Sequence, residues 1–403
     1  MFLIACIRRL VWAAIAVGLG AWALVAAGVA PASVAVSEGW KVQSSPNPGG
    51  STTTDRLAAV AATSPSNAWA VGSYYNGTAY RTLVEHWNGN AWRVLKSPNE
   101  GGSSADNNLN GVVATSPTDA WAVGDYDNGK ADQTLIEHWN GKAWKVLKSP
   151  NVGGSKNLNE LFAVAAVSPK DAWAVGEENG FGPYVLIEHW NGELWQVQKS
   201  PNPGGSKNGS QLTGVAATSP TDAWAVGYYG NMPLSGPSHQ RMIIEHWNGK
   251  AWQVQKSARP EGSNYAQLYG VAATSSQDAF AVGYYQHGTA AQTLVERWNG
   301  KAWQLQKSPN VGGSSHLSEL YGVAMTSGAD AWAVGNYENR TAEQTLIEHW
   351  NGNAWQVQKS PDPGGPKAIN YLSGLAAGSP SKIWAVGGYD HGSASRTLVE
   401  HCC

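Results

Sequence analysis

The sequence predicts an all-β protein, a seven-bladed β-propeller of four-stranded blades whose ring is closed by the N-terminal strand. Three observations predict it. A unit of about 52 residues is written seven times, its marker aromatic falling at Trp69, Trp121, Trp173, Trp224, Phe280, Trp332 and Trp384 with spacings of 52, 52, 51, 56, 52 and 52. A fixed period of this size marks a repeat architecture. Each unit holds four short runs of strand character and no run with apolar residues at helical spacing. The last unit breaks off before its fourth run, and a matching run stands at the other end of the chain.

In chain order the closing strand comes first. Residues 39–46 (Gly-Trp-Lys-Val-Gln-Ser-Ser-Pro) match residues 91–98 (Ala-Trp-Arg-Val-Leu-Lys-Ser-Pro) and supply the strand that the seventh blade, 372–401, lacks before it ends in Cys402-Cys403. Closure removes the free edges of an open array. Blades begin near residues 57, 109, 161, 212, 268, 320 and 372. In the second blade the strands are expected over 109–115, 120–126, 133–139 and 143–148, mostly rich in Val, Ile, Thr or Trp and bounded by Pro, Asn, Gly or Ser. The first strand is built of small residues, as in Gly214-Val215-Ala216-Ala217, which suits the crowded axis. The later strands carry Trp, where diverging blades leave room. Asn-Gly joins the third and fourth strands at Asn88-Gly89, Asn140-Gly141 and four further copies, predicting a tight type I′ hairpin.

These residues carry a resemblance to kelch-type propellers, the group that includes the central domain of galactose oxidase. Gly124 ends the second strand, a variable polar stretch follows, and Trp139 and Trp144 stand near the kelch Tyr and Trp positions; Gly387-Gly388 keeps the kelch double glycine. The resemblance spans residues 39–403 and implies the same fold. The oxidase branch uses a thioether-linked Cys–Tyr pair. The propeller here has no internal Cys, so that chemistry does not carry over and no cofactor is expected.

Residues 1–36 read as a signal peptide or N-terminal membrane anchor. Arg8 and Arg9 precede an apolar run from Leu10 to about Ala30, and small residues offer cleavage after Ala32 or Ala35. The run is also long enough to span a bilayer. The expected location is secreted or anchored on the extracytoplasmic side, with membrane contact only through this segment. Residues 37–403 then form one propeller, expected to be monomeric. A net charge of −2 offers no basic face for nucleic acid. Cys402 and Cys403 are too few for a disulfide framework and are expected to mark an altered end of the reading frame, or else a crosslink between chains.

Glu-His recurs on the third strand, as in Glu85-His86 and Glu137-His138, with Glu296-Arg297 in the fifth blade. A shared metal is excluded by geometry. Strands about 4.8 Å apart put equivalent His residues roughly 13 Å from one another, against about 2 Å for a zinc–ligand bond. Both side chains are expected to hydrogen-bond between neighbouring blades. Asp125-Tyr126-Asp127-Asn128-Gly129 lacks the later bidentate Glu of a calcium loop and reads as a turn. No metal or catalytic residue is assigned.

Antiparallel topology puts the uniform first-to-second connections and Asn-Gly hairpins on one face of the disc. The second-to-third loops and blade-to-blade loops share the other face and hold nearly all the variation, notably 230–240, 177–183 and 258–266. Binding is expected there. Two residues after the strand-ending Gly stand Tyr74, Tyr126, Tyr229, Tyr285, Tyr337 and Tyr389, with Glu178 in the third blade. These seven are the candidate ligand-binding residues, able to stack on sugar rings; the alternative is that each plugs the end of its own blade. Glu177, Glu178, His239, Arg241 and His287 are the residues that break the symmetry of the loops and could converge on one sector. The inner strands show no unique acid–base pair. The reading is a non-catalytic binding propeller for a glycan or extracellular protein. A structural surface protein or a propeller hydrolase or lyase are the alternatives.

Overall fold

The computed structural model describes residues 39–179, 184–205, 208–231, 239–380 and 382–403. The expected leader, 1–36, lies outside the described residues, as do 232–238 of the largest loop insertion and 180–183 of the third-blade loop. The described residues form seven four-stranded antiparallel sheets and no α-helix. In the second blade the strands are Asn107–Ser116, Asp119–Asp127, Asp132–Trp139 and Trp144–Leu147. Consecutive innermost strands touch, and the last returns to the first, so the sheets make a closed seven-bladed β-propeller. The seventh sheet is completed by Lys41–Val42, with Lys41 opposite His401 and Val42 opposite Glu400.

Each innermost strand bulges one residue past a buried leucine. Leu109 pairs with Gly124, but Gly111 pairs with Val123, leaving Asn110 unpaired. The bulge explains the glycine of every second strand, a residue expected to end the strand that lies within it, as Gly124 does in Asp119–Asp127. A Cβ on Gly124 would lie 2.0 Å from the carbonyl oxygen of Asn108, and the same clash recurs at its counterparts. Gly124→Ala is expected to destabilise the fold by about 1–3 kcal/mol or more through overpacking against fixed backbone, read as a lower urea midpoint. Small residues on the inner strand serve the ring: a Cβ on Gly111 would meet the Ala163 Cα of the next blade at 3.0 Å.

The Asn-Gly hairpins differ from expectation. Trp87 faces Trp92 across a four-residue loop, and only Gly89, at φ 90°, takes the left-handed conformation. A type I′ turn would need Asn88 there too. Instead the Asn88 carboxamide oxygen accepts from the backbone N–H of Asn90 and of Ala91, each at 3.1 Å, and closes the loop as a side-chain cap.

Aromatic stacks join the blades. Trp121 is fully buried; it stacks on His138 of its own blade (centroids 4.1 Å) and meets Trp190 (5.1 Å) and Trp195 (5.4 Å) of the next. Phe280 fills the same place against Trp350 and Trp355. At the closure Trp332 meets Trp40, and Cys402, disulfide-bonded to Cys403, occupies the slot of the second Trp.

The expectation that Glu and His both bond across blades is right for Glu and corrected for His. Every third-strand Glu is buried and hydrogen-bonded to a Ser of the preceding blade: Ser45–Glu85, Ser97–Glu137, Ser149–Glu188, Ser200–Glu245, Ser257–Glu296, Ser308–Glu348 and Ser360–Glu400. The His instead turns back within its blade, as His138 does to Asp119 at 2.7 Å, because ladder pairing sets it opposite the Trp and beside that Asp. Arg297 makes both connections, to Asp278 in its own blade and to the Gly328 carbonyl of the next.

The buried carboxyls sit in small hydroxyl networks: Ser308 donates to Glu348 at 2.8 Å, and its hydroxyl also lies 2.9 Å from Thr293 Oγ1. Burial pushes Glu85, Glu137, Glu188, Glu348 and Glu400 up to about 8 and Glu245 and Glu296 up to about 7, against the Ser hydrogen bonds that pull the other way.

Candidate functional site

Two sets of side chains leave the blades toward the variable face, from adjacent positions and in opposite directions. The first is the expected tyrosine series. Tyr74, Tyr126, Tyr229, Tyr285, Tyr337 and Tyr389, with Glu178, are half-buried at the ends of their second strands. Tyr126 packs on the apolar core of the junction with the preceding blade, and Tyr74 does the same at its own junction. The other four tyrosines pack on their own junction cores. The series is therefore distributed among separate junctions and is not gathered into one site. The residue opposite Tyr126, Asn107, ties down the incoming loop: it accepts from Glu100 N–H at 2.7 Å and donates to the Glu100 carbonyl at 3.0 Å.

The second set flanks the inner leucine. On either side of Leu57, Leu109, Leu161, Leu212, Leu268, Leu320 and Leu372 stand Arg56/Ala58, Asn108/Asn110, Glu160/Phe162, Gln211/Thr213, Gln267/Tyr269, Glu319/Tyr321 and Tyr371/Ser373. Opposite the first of each pair lie Ser73, Asp125, Glu177, Tyr228, Tyr284, Asn336 and Gly388. The period of two aims these groups away from the leucine, toward the next blade, at the end of the strands that line the axis. Here the blades are all different. Sequence reasoning that looks for variation in loops passes over these positions, although the changing residues around a constant leucine are legible in the chain.

The inner ring divides into three sectors. In blades two and three Asn108 and Asn110 donate to the two Asp125 oxygens at 3.1 and 3.0 Å, and Glu160 meets the Asp132 carboxyl. Burial first, then Asp125, Glu177 and Asp132, raise Glu160 well above the usual carboxylate range, so this pair holds a proton. In the Asp125–Gly129 segment, expected as a turn, Asp125–Asp127 instead end the second strand and only Asn128–Gly129 leave it, with Asp127 capping the Gly129 N–H at 2.7 Å. In blades four to six five tyrosines meet: Tyr269 stacks on Tyr284 (5.6 Å), which stacks on Tyr265 (6.1 Å), while Tyr321 (5.5 Å) and Tyr228 (6.1 Å) also contact Tyr269. Tyr269 donates to Gln267, and Tyr321 donates to Glu319. Burial raises Glu319 to about 7 despite that hydrogen bond. In blades seven and one Arg56 lies over the Tyr80 ring at 5.3 Å and reaches Asn108 at 3.4 Å.

A cleft of 650 Å³ opens between blades six and seven, lined by Glu338, Thr341, Glu343, Lys367, Asp390 and His391 among others. Glu343 connects it inward by accepting from Asn336 at 3.0 Å, and is raised by burial and by Glu338 and Asp390. The loop residues expected to converge do not. His239 and His287 are exposed, Arg241 lies opposite Tyr229, and only Glu177 reaches the inner ring, opposite Glu160. Among the described residues no group of three His, Cys, Asp or Glu side chains is placed to hold a metal ion.

No protein-family model and no curated protein matches the sequence. Among solved structures the chain is similar to YCF48 from Cyanidioschyzon merolae, with 14% identity over 90% of this chain and 98% of that one and a TM-score of 0.50. It is also similar to a Dyadobacter fermentans protein of unknown function (10% identity, 91% and 98% covered, TM-score 0.49) and to the fucose-recognising, six-bladed lectin of Aleuria aurantia (13%, 76% and 95%, 0.45). At these identities the likeness shows the propeller fold alone.

Proposed function

We propose that the chain is an exported, non-catalytic binding propeller, of kelch-like descent, whose variable face recognises a glycan. One observation carries this reading: blades that are otherwise near copies of each other differ at one end, where loops and inner-ring side chains meet, while the residues that hold the ring recur. A scaffold needs no such variation; a ligand without sevenfold symmetry does. The chemistry on that face, Tyr with Asn, Gln and carboxyl groups, suits sugars, whose apolar faces stack on rings and whose hydroxyls both donate and accept. Binding is favoured over catalysis because the inner carboxyls Glu160 and Glu319 are already engaged by Asp132 and Tyr321. The leader at 1–36 supports export, and its apolar run supports a tether.

The test is a glycan array probed with the full-length protein in a non-glycosidic detergent. Saturable binding to a defined set of glycans is the expected result. A folded protein that binds no glycan would overturn the reading and turn the search to protein partners.

A further inference from the structure

We propose that the ligand sits at the inner ring, on the tyrosine wall of blades four to six, and that this site takes a neutral hexopyranose unit. This rests on the glycan-binding reading above and locates it away from the tyrosine series at the blade junctions. The wall is built by Tyr228, Tyr265, Tyr269, Tyr284 and Tyr321, which belong to three blades and touch one another in an unbroken chain. These three consecutive blades bring five rings together at the inner positions. Tyr269 is buried, 4% exposed, and the other four are partly buried. A buried ring packed among partly exposed ones is a supported platform, against which the apolar side of a pyranose can stack.

Polar groups stand beside the rings at fixed positions. Gln267 is held by Tyr269 and Gln240, and Glu319 by Tyr321. Groups pinned in this way lose little freedom when they accept or donate to sugar hydroxyls. The recurrent tyrosines are instead dispersed, each packed singly against the apolar core of a separate junction.

The charge around the ring selects against other sugars. Asp125, Glu160, Glu177 and Glu319 face the inner ring, and Arg56, the one cation among the residues flanking the inner leucines, is committed to Tyr80 and Asn108. A uronate, sialate or sulfated sugar would bring a further negative charge into this carboxyl-rich surround. A neutral sugar meets no such penalty.

The experiment uses adjacent residues whose side chains point to opposite faces. The tightest glycan from the array is titrated calorimetrically into the full-length protein and into its Tyr284→Ala, Tyr284→Phe and Tyr285→Ala variants, each checked for native circular dichroism. Tyr284→Ala is expected to weaken binding about tenfold or more, with Tyr284→Phe, which keeps the ring, within about threefold, and Tyr285→Ala within about twofold. Neutral glycans are expected to outbind their acidic counterparts. Binding that survives Tyr284→Ala and is lost in Tyr285→Ala would move the site to the junctions and overturn this proposal while leaving glycan binding intact. Preference for acidic glycans would overturn the ligand class. No glycan binding by the parent would overturn both this and the reading beneath it.

Discussion

Raising the pH from about 4.5 to about 8 is expected to lower the stability of the folded ring. Each blade buries one glutamic acid whose proton is held by burial, up to about 8 in five blades and about 7 in two. In the unfolded chain the same groups ionise near 4.5. Between these values the unfolded state has lost the proton and the folded state has kept it, so rising pH favours unfolding. The stability is fully present below 4.5 and is lost as pH climbs through the folded values. One such group alone, raised to about 8, would contribute roughly 5 kcal/mol. Seven such contributions would exceed the ~5–15 kcal/mol net stability of a whole domain, so the expected total drop is several kcal/mol, shared among them. Glu137→Gln supplies the control. Its amide oxygen can still accept from Ser97 but the group does not titrate, so the variant should lose stability less steeply than the parent and become the more stable of the two near pH 8. Urea midpoints at pH 5 and pH 8 decide it. A parent that gains stability with pH, or a Gln variant with the parent's full pH dependence, would contradict the protonated clasp.

Trp121→Ala is expected to cost about 3–5 kcal/mol, near the upper range for a buried aromatic. The ring is fully buried and touches His138 within its blade and Trp190 and Trp195 across the junction. Removing it leaves a cavity bounded by large rigid rings that cannot collapse inward. Trp121→Phe should cost less than half as much, since Phe280 already serves in that place against Trp350 and Trp355. Urea unfolding at pH 5 measures both. An alanine variant within about 1 kcal/mol of the parent would mean that the Trp stack does not hold the junction.

The blade count, the four strands and the N-terminal closure were all legible in the chain, because each is carried by a repeated local signal: the marker Trp, the Asn-Gly pair and the match of 39–46 to 91–98. What was not legible depends on side-chain direction. Glu137 and His138 are neighbours, and only ladder pairing decides that one reaches Ser97 of the blade before while the other turns to Asp119. The Asn-Gly loops were placed correctly but their conformation was not, since the cap formed by the Asn88 side chain competes with the turn its backbone could have made. The inner ring lay in plain view as changing residues about a constant leucine. Its meaning depends on the packing of different blades, since Tyr269 and Tyr321 are 52 residues apart in sequence and in contact across a junction.

The most direct measurement of where the ligand binds is a crystal structure of the protein with its tightest-binding glycan. Sugar density stacked on the Tyr284 side of the inner ring, within hydrogen-bonding reach of Gln267 or Glu319, is the predicted result. Density lodged at the blade junctions beside Tyr285 and its counterparts, with the inner ring empty, would contradict it.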